Sequence, residues 1–160
     1  EIDYKKVVTG IAYSKNNAKV SIVGVVDKPG VAADIFEPIG SNNINIDMVI
    51  QNTSFDGKKA NITFTIKRED LKKTLDLIKK NKQKINYKKI VHDDRLAKVS
   101  IIGAGMIVNA GVTHKMFRCL AEKKINILAI STSEIKISVL IREDLTKKAV
   151  KALHKTFELN

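Results

Sequence analysis

Apolar and polar residues along the first half of the chain follow periods that predict a mixture of strands and helices. Apolar side chains recur at i, i+3, i+4 and i+7 in Ala32, Ile35, Phe36 and Ile39, which is typical of one buried helix face. Pro38 should kink or end that helix, because proline lacks a backbone N–H. The dipeptide Asp56–Gly57 between two β-branched runs predicts a hairpin turn. The predicted strands are 19–26, 44–51, 60–67 and 85–91, and the predicted helices begin at residues 31 and 69.

This pattern occurs twice. The run Ala18-Lys-Val-Ser-Ile-Val-Gly24 returns as Ala97-Lys-Val-Ser-Ile-Ile-Gly103. A period of roughly 75 to 80 residues suits a small domain duplicated in tandem. The order strand, helix, strand, strand, helix, strand is the ferredoxin-like plan, an α+β fold with two helices on one face of an antiparallel sheet. In the second copy the predicted strands are 98–102, 125–131 and 135–141, and the helices are 111–122 and 143–156.

The second copy lacks a strand to match residues 85–91, because only a short run follows its last predicted helix. The strand-like run 7–13 precedes a first copy that is complete without it, and residues 14–17 are interpreted as a linker. An empty position would expose an unpaired sheet edge. We therefore predict that the N-terminal strand completes the second domain. The first domain is then 18–93, inserted into a second domain formed by 1–17 and 94–160.

The net charge of +12 is the main argument for an alternative function, a nucleic-acid-binding tandem of ferredoxin-like modules. Of the 29 basic residues 25 are Lys and only 4 are Arg, and aromatic residues make up 5% of the chain. Nucleic-acid readers of this topology use arginine forks and exposed aromatic side chains on central strands. The corresponding runs carry Ile, Val, Met and Asn instead, so the composition favours a solvated lysine surface and no specific nucleic acid as partner.

Several other classes of protein are disfavoured. No apolar run approaches the length of a membrane span, so no membrane partner is expected. The three histidines, His92, His114 and His154, lack neighbours at ligand spacing, and we expect no metal, no cofactor and no catalytic residue. The single cysteine, Cys119, excludes an internal disulfide and fits a reducing cytoplasm. Its place in an apolar helical pattern predicts a buried thiol.

Two strand-to-helix turns hold the most informative polar groups. Asp27-Lys-Pro-Gly30 places a carboxylate beside a helix start, where free N–H groups and the helix dipole can hold an anion. A free α-amino acid needs both features, donors for its carboxylate and an acceptor for its ammonium group. The second turn, from Asn109 to Thr113, offers donors but no acid. From spacing alone, Asp27 could equally be a turn and N-cap residue. Further polar groups on neighbouring strands are Asn45, Gln51, Asn126 and the run 131–134.

These residues together resemble the paired ACT domains that form the regulatory part of aspartate kinase, over nearly the whole chain. The matching motifs are Asp27-Lys-Pro-Gly-Val31, Asn45-Ile-Asp-Met-Val-Ile-Gln-Asn52, Val99-Ser-Ile-Ile-Gly-Ala-Gly-Met106, Gly111-Val-Thr113, Ser131-Thr-Ser-Glu134 and Ile137-Ser-Val-Leu-Ile-Arg-Glu143. The resemblance implies a cytoplasmic protein with two ferredoxin-like βαββαβ ACT domains. In this family threonine, lysine or both bind between ACT domains and inhibit the phosphorylation of aspartate by ATP, which is feedback control of lysine and threonine biosynthesis.

The resemblance also implies particular residues and partners. The partners are threonine and/or lysine, a second copy of the chain in a homodimer through the ACT domains, and the kinase domain or catalytic subunit. The Lys-Phe-Gly-Gly-Thr run that opens the family's catalytic half is absent from these residues, so they should hold no catalytic centre. Whether the chain is a separate regulatory subunit or a fragment of a longer enzyme stays open. The implied effector-binding residues are Asp27, Gly30, Ala32, Ile44, Gln51, Asn126 and Ile127. A second, lysine-associated region comprises Asn109, Thr113, Ser133 and Glu134, where the family often has His-Pro in place of Asn109–Ala110.

Overall fold

The computed structural model describes residues 7–103 and 110–159. Contacts between residues divide the chain into two compact units. One is Asn16–Asp94, called here the central unit, and the other is Glu1–Lys15 with Arg95–Asn160, called the terminal unit. In the described part of the chain no helix is both long and apolar enough to cross a membrane.

The central unit is a four-stranded sheet with helices packed on one face. Strands β1 and β3 pair antiparallel with Val20 opposite Phe64, and β2 pairs antiparallel with the other side of β3. Val20, Ile22 and Phe64 are buried with apolar residues of the helices, such as Ile35 and Ile78. The strand order is β2-β3-β1-β4. The elements are β1 (Gly10–Val26), α1 (Val31–Ser41), β2 (Val49–Thr53), β3 (Lys59–Lys67), α2 (Leu71–Lys80), the short α3 (Lys82–Ile85) and β4 (Lys89–Ile102), with a 3-10 turn at Arg68–Asp70.

The terminal unit repeats this plan with the second part of β4 and the first part of β1. The Thr9 N–H donates a hydrogen bond of 2.7 Å to the Ile102 carbonyl, and Val8 is buried among core residues such as Met116 and Phe157. The strand order is β1-β4-β6-β5, with Val99 opposite Val139 in the antiparallel β4–β6 pair. The other elements are α4 (Ala110–Glu122), β5 (Ala129–Thr132), β6 (Lys136–Arg142) and α5 (Thr146–Thr156), with a 3-10 turn at Glu143–Leu145.

Two predicted strands begin later than the sequence pattern indicated, at Val49 rather than residue 44 and at Ala129 rather than residue 125. The chain leaves the preceding helix through a left-handed residue, Asn43 with φ 58° or Lys124 with φ 60°. The apolar residues that follow each of these turns pack against the core before the regular ladder starts. The hydrophobic periodicity predicted the burial of these residues correctly, but it could not distinguish this irregular segment before each strand from the strand itself.

Residues 14–17, predicted as a linker, lie within strand β1, and the boundary between the two units falls inside this run, after Lys15. Asn17 is buried and pairs with Lys67, where the β1–β3 ladder ends, and Asn16 has φ 65°. The predicted strand 85–91 begins only at Lys89, since α3 and the left-handed Asn86 precede it. Pro38 does not end α1, which continues to Ser41.

Candidate functional site

The turn after β1 positions Asp27 beside the start of α1. Asp27 is half-buried, and its main-chain N–H donates to the Lys58 carbonyl at 3.0 Å, which anchors the turn just before the start of β3. Gly30 has φ 90° and forms the N-cap of α1. This left-handed conformation favours glycine, and a Cβ built there meets nothing within 4 Å. The constraint at Gly30 is therefore the backbone conformation itself.

The first turn of α1 leaves donors available to a ligand. The first helical hydrogen bond runs from the Asp34 N–H to the Gly30 carbonyl at 3.0 Å, and the helix has no side-chain cap. Within the described part of the chain the N–H groups of Ala32 and Ala33 form no hydrogen bond. Both residues are exposed. Uncapped N–H groups at a helix start, together with the positive end of the helix dipole, can bind a carboxylate.

The other predicted residues of the central unit divide between the edge strand and the core. Gln51 is exposed on β2 and lies opposite Ile62. Directly opposed residues of an antiparallel pair share a sheet face, so Gln51 lies on the same face as the buried Ile62 and the helices. Ile44 is 4% exposed and belongs to the core. The Ile44 side chain packs the unit, and its main-chain N–H donates to the Ile39 carbonyl at 3.2 Å.

The terminal unit carries the remaining predicted residues. Asn126 is exposed and Ile127 packs against the core, both just before β5. Thr113 is half-buried in the first turn of α4, and Asn109 lies outside the described residues.

Ser133 and Glu134 form the turn between β5 and β6. The Ser133 N–H donates to the Lys136 carbonyl at 2.8 Å, and the Ser133 hydroxyl accepts a hydrogen bond of 3.4 Å from the Ile135 N–H. The Gly103 N–H donates to the Ile135 carbonyl at 2.8 Å, so the end of β4 lies next to this turn. Glu134 is exposed.

One side chain that shapes the first turn was not predicted from the sequence. The Asn61 carbonyl oxygen accepts a hydrogen bond of 3.1 Å from the Gly24 N–H, three residues before Asp27. Here the register between β1 and β3 shifts between Ile22 and Val25. A glycine inside a β-branched run was the available signal, because glycine in a strand often marks a bulge.

Among the described residues two ionisable groups have clearly shifted pKa values, and neither is a predicted site residue. Hydrogen bonds from the Ser54 hydroxyl and the Lys58 N–H hold the pKa of Asp56 below its usual range, and both stabilise the β2–β3 turn. Burial raises the pKa of the Tyr87 phenol, whose ring lies 3.9 Å from Lys82 Nζ. In residues 7–103 and 110–159 no three His, Cys, Asp or Glu side chains converge as metal ligands would.

Comparison with known proteins connects this architecture to one family. The model of a family described as ACT domain matches residues 20–81 and 99–157. The aspartokinase of Corynebacterium efficiens is 46% identical over 154 residues, which cover 96% of this chain and 37% of that protein. The chain therefore spans about 37% of the length of the curated relatives it matches.

Solved structures give the same result at the level of the fold. A chain in a crystal structure of aspartokinase alpha and beta subunits is 46% identical, with a TM-score of 0.87, and the match covers 95% of this chain and 99% of that one. The ligand-free regulatory subunit of aspartate kinase from Thermus thermophilus is 32% identical, with a TM-score of 0.88 and the same coverage.

Proposed function

Because the chain belongs to the ACT-domain family and matches the regulatory part of aspartate kinases, we propose that it binds threonine or lysine and transmits this binding to a kinase domain as feedback inhibition. These residues contain no kinase domain, so the phosphorylation of aspartate belongs to a partner domain or subunit. The comparisons do not support the nucleic-acid alternative. In the central unit, the paired segments of β1 and β3 also carry no aromatic residue on the face away from the helices. On that face Ser21 lies opposite Thr63, and their hydroxyl oxygens are 2.8 Å apart.

The observation that carries the proposal is the uncapped start of α1 next to Asp27. An amino-acid carboxylate would accept hydrogen bonds from the N–H groups of Ala32 and Ala33. Its ammonium group would donate to the Asp27 carboxylate, a charge-assisted bond that is stronger than a neutral one. Gln51, on the helix-facing side of β2, would contribute an amide that can both donate and accept.

The two candidate effectors differ in what they require beyond this common head group. Threonine needs one hydroxyl partner, which an amide such as that of Gln51 or Asn126 can supply. Lysine needs an acceptor for a second ammonium group. Glu134 and the Ser133 hydroxyl, in the β5–β6 turn, have that chemistry and form the proposed second, lysine-associated region with Thr113. We infer that threonine is the better ligand of the Asp27 turn.

Thermal unfolding in the presence of single amino acids tests this function. A ligand that binds only the folded state stabilises it by about 2.7 kcal/mol at 100 times its dissociation constant. We expect L-threonine or L-lysine to raise the melting temperature, and D-threonine and L-valine to have little effect. If neither threonine nor lysine raises the melting temperature at millimolar concentration, the proposal is contradicted.

Substitution of Asp27 tests its assigned role. Asp27→Asn should abolish the shift, because an uncharged amide no longer pairs with the ammonium group. Asp76→Asn, on the exposed side of α2, removes the same charge from the same unit and should keep the shift. A shift of full size in Asp27→Asn, equal to that in Asp76→Asn, would show that Asp27 does not bind the effector.

We further propose that the effector acts on a homodimer formed through the ACT domains. If the ligand binds the dimer better than the monomer, mass action must increase the dimer fraction. Sedimentation velocity at several protein concentrations, with and without threonine, measures this. A monomer under every condition would contradict the dimer while leaving the thermal-shift result standing.

A further inference from the structure

The terminal unit contains a groove between α4 and α5 that the proposed effector function does not use. The groove has a volume of about 320 Å³. One stripe of α4 lines it: His114 and Lys115 lie four and three residues before Arg118, and Glu122 lies four residues after it. Thr156 lies at the end of α5. Residues at this spacing share one face of a helix. The groove is at the lower end of the size range of small-molecule sites, which is about 300–1,000 Å³.

The internal repeat shows that the charge of this stripe is specific to one unit. Counted from the matching Gly–Val pairs, Lys115 of α4 corresponds to Asp34 of α1, and Arg118 corresponds to Glu37. In the central unit Asp34 forms an ion pair of 3.5 Å with Lys84. The same helix face is thus acidic in one copy and basic in the other. The two positions lie three residues apart, so the change of sign affects one side of the helix.

The neighbouring helix adds to the positive potential. The segment Thr146–Thr156 contains no acidic residue. Its exposed cationic side chains are those of Lys147, Lys148, Lys151 and Lys155. Cations on both helices raise the local concentration of anions, and the effect decreases as salt screens it.

The floor of the groove is weakly polar and well ordered. Cys119 is 7% exposed, and its sulfur accepts a hydrogen bond of 3.1 Å from the Thr156 hydroxyl. Lys115 Nζ lies 5.7 Å from the centre of the buried Phe157 ring, which holds the ammonium group near the groove. Glu122 lies one turn beyond Arg118, at the end of the stripe where an anion would be repelled.

We propose that this groove binds a small molecule bearing an oxyanion, either a phosphate group or a pair of carboxylates, on Lys115 and Arg118. The planar guanidinium of Arg118 suits bidentate recognition of either group, and the Lys115 ammonium adds a point charge. Phosphate and carboxylate share this chemistry, so the experiment separates them.

Two-dimensional amide NMR of the complete chain, titrated with inorganic phosphate and separately with succinate at constant ionic strength set by sodium chloride, tests the site. We expect saturable shifts confined to residues 114–122 and Thr156 with at least one of the two probes. Whichever probe saturates at the lower concentration identifies the preferred oxyanion. Absence of saturable shifts with both, or shifts spread over all lysine-rich surfaces, would overturn the proposal.

Four variants sharpen the result. Arg118→Glu should weaken binding at least tenfold, and Arg118→Gln should reproduce most of that loss without reversing the charge. Lys79→Glu, an equal change of net charge on the exposed side of α2, should change it less than twofold. Glu122→Gln should strengthen binding, because it removes the repelling carboxylate. An equal loss in Arg118→Glu and Lys79→Glu would show that only net charge matters and would overturn the site.

The same variants separate this proposal from the effector function. Arg118→Glu should keep the full thermal shift with threonine or lysine, and Asp27→Asn should keep the phosphate or succinate response. Loss of both responses in the folded Arg118→Glu protein, judged by circular dichroism, would contradict a separate site.

Discussion

Replacing Gly24 by alanine tests how the backbone of β1 is directed toward the Asp27 turn. Gly24 has φ 75°, at the place where the β1–β3 register shifts. A Cβ at this position would lie 2.8 Å from the Lys88 Cβ. Lys88 cannot simply move away, since its main-chain N–H donates to the Val23 carbonyl at 2.8 Å. Alanine therefore meets both an unfavourable backbone conformation and a fixed neighbour.

The two costs can be separated with a matched control. A non-glycine residue in the left-handed region costs about 1–2 kcal/mol. Crowding a packed position typically costs a further 1–3 kcal/mol or so. Gly57 has nearly the same φ, 74°, but a Cβ there meets nothing within 4 Å. We therefore expect Gly57→Ala to lower the free energy of unfolding by about 1–2 kcal/mol and Gly24→Ala by about 2–5 kcal/mol.

Urea unfolding followed by far-ultraviolet circular dichroism measures both losses, as changes in the midpoint at unchanged m. Adding Lys88→Gly removes the atom that the new methyl group meets. The double variant should therefore recover the crowding part, a coupling energy of about 1–3 kcal/mol. Losses for Gly24→Ala and Gly57→Ala within about 0.5 kcal/mol of each other, with no coupling to Lys88, would refute the steric reasoning.

Three further predictions concern the cores and the hairpin. The Thr74 hydroxyl is buried without a hydrogen-bond partner among the described residues. Thr74→Val should therefore raise the free energy of unfolding by about 1 kcal/mol, whereas Thr74→Ser should not raise it. A lower free energy of unfolding in Thr74→Val would show that the hydroxyl has a partner. Val8 is fully buried in the terminal unit, so Val8→Ala should lower the free energy of unfolding by about 2 kcal/mol. Hydrogen exchange should show the loss of protection in residues 110–159 rather than in residues 16–94. The opposite pattern would contradict the division into units. The folded-state pKa of Asp56 lies below its unfolded value, so its contribution to stability is present above that unfolded value and is lost as the pH falls through the folded pKa. Asp56→Asn should therefore make the free energy of unfolding depend less on pH in this range. If the plots of unfolding free energy against pH are parallel for the two proteins, these hydrogen bonds do not stabilise the turn.

The element types and the hairpin could be predicted because their signals are local. Asp56–Gly57 is confirmed as the β2–β3 turn, with Gly57 at φ 74°. Of the predicted apolar helix face, Ile35 and Ile39 are buried and Phe36 packs against the core, whereas Ala32 is exposed. Element boundaries were less accurate. The polar residues 14–17 lie within a strand, and Asn17 pairs with the distant Lys67, a long-range pairing that composition does not report.

The candidate site shows the same division. The sequence indicated the Asp27–Gly30 turn, because Asp, Pro and Gly each have a local conformational preference. It did not indicate that Asn61 on another strand accepts a hydrogen bond from the Gly24 N–H. That contact depends on a residue distant in the sequence. Lys115 and Arg118 are visible in the sequence as two bases, but the groove that they line requires α5 to pack beside α4.

By itself, the sequence of this protein determined its duplication, its α+β class and the family whose motifs it carries, since repeats, periodicity and turn residues are properties of neighbouring positions. Only the tertiary structure showed which strands pair and which helix face lines a groove with basic side chains. These outcomes depend on long-range packing and on charges brought together from distant parts of the chain. Two copies of one pattern can therefore share a fold and still carry opposite charges at matching positions, Asp34 in one and Lys115 in the other.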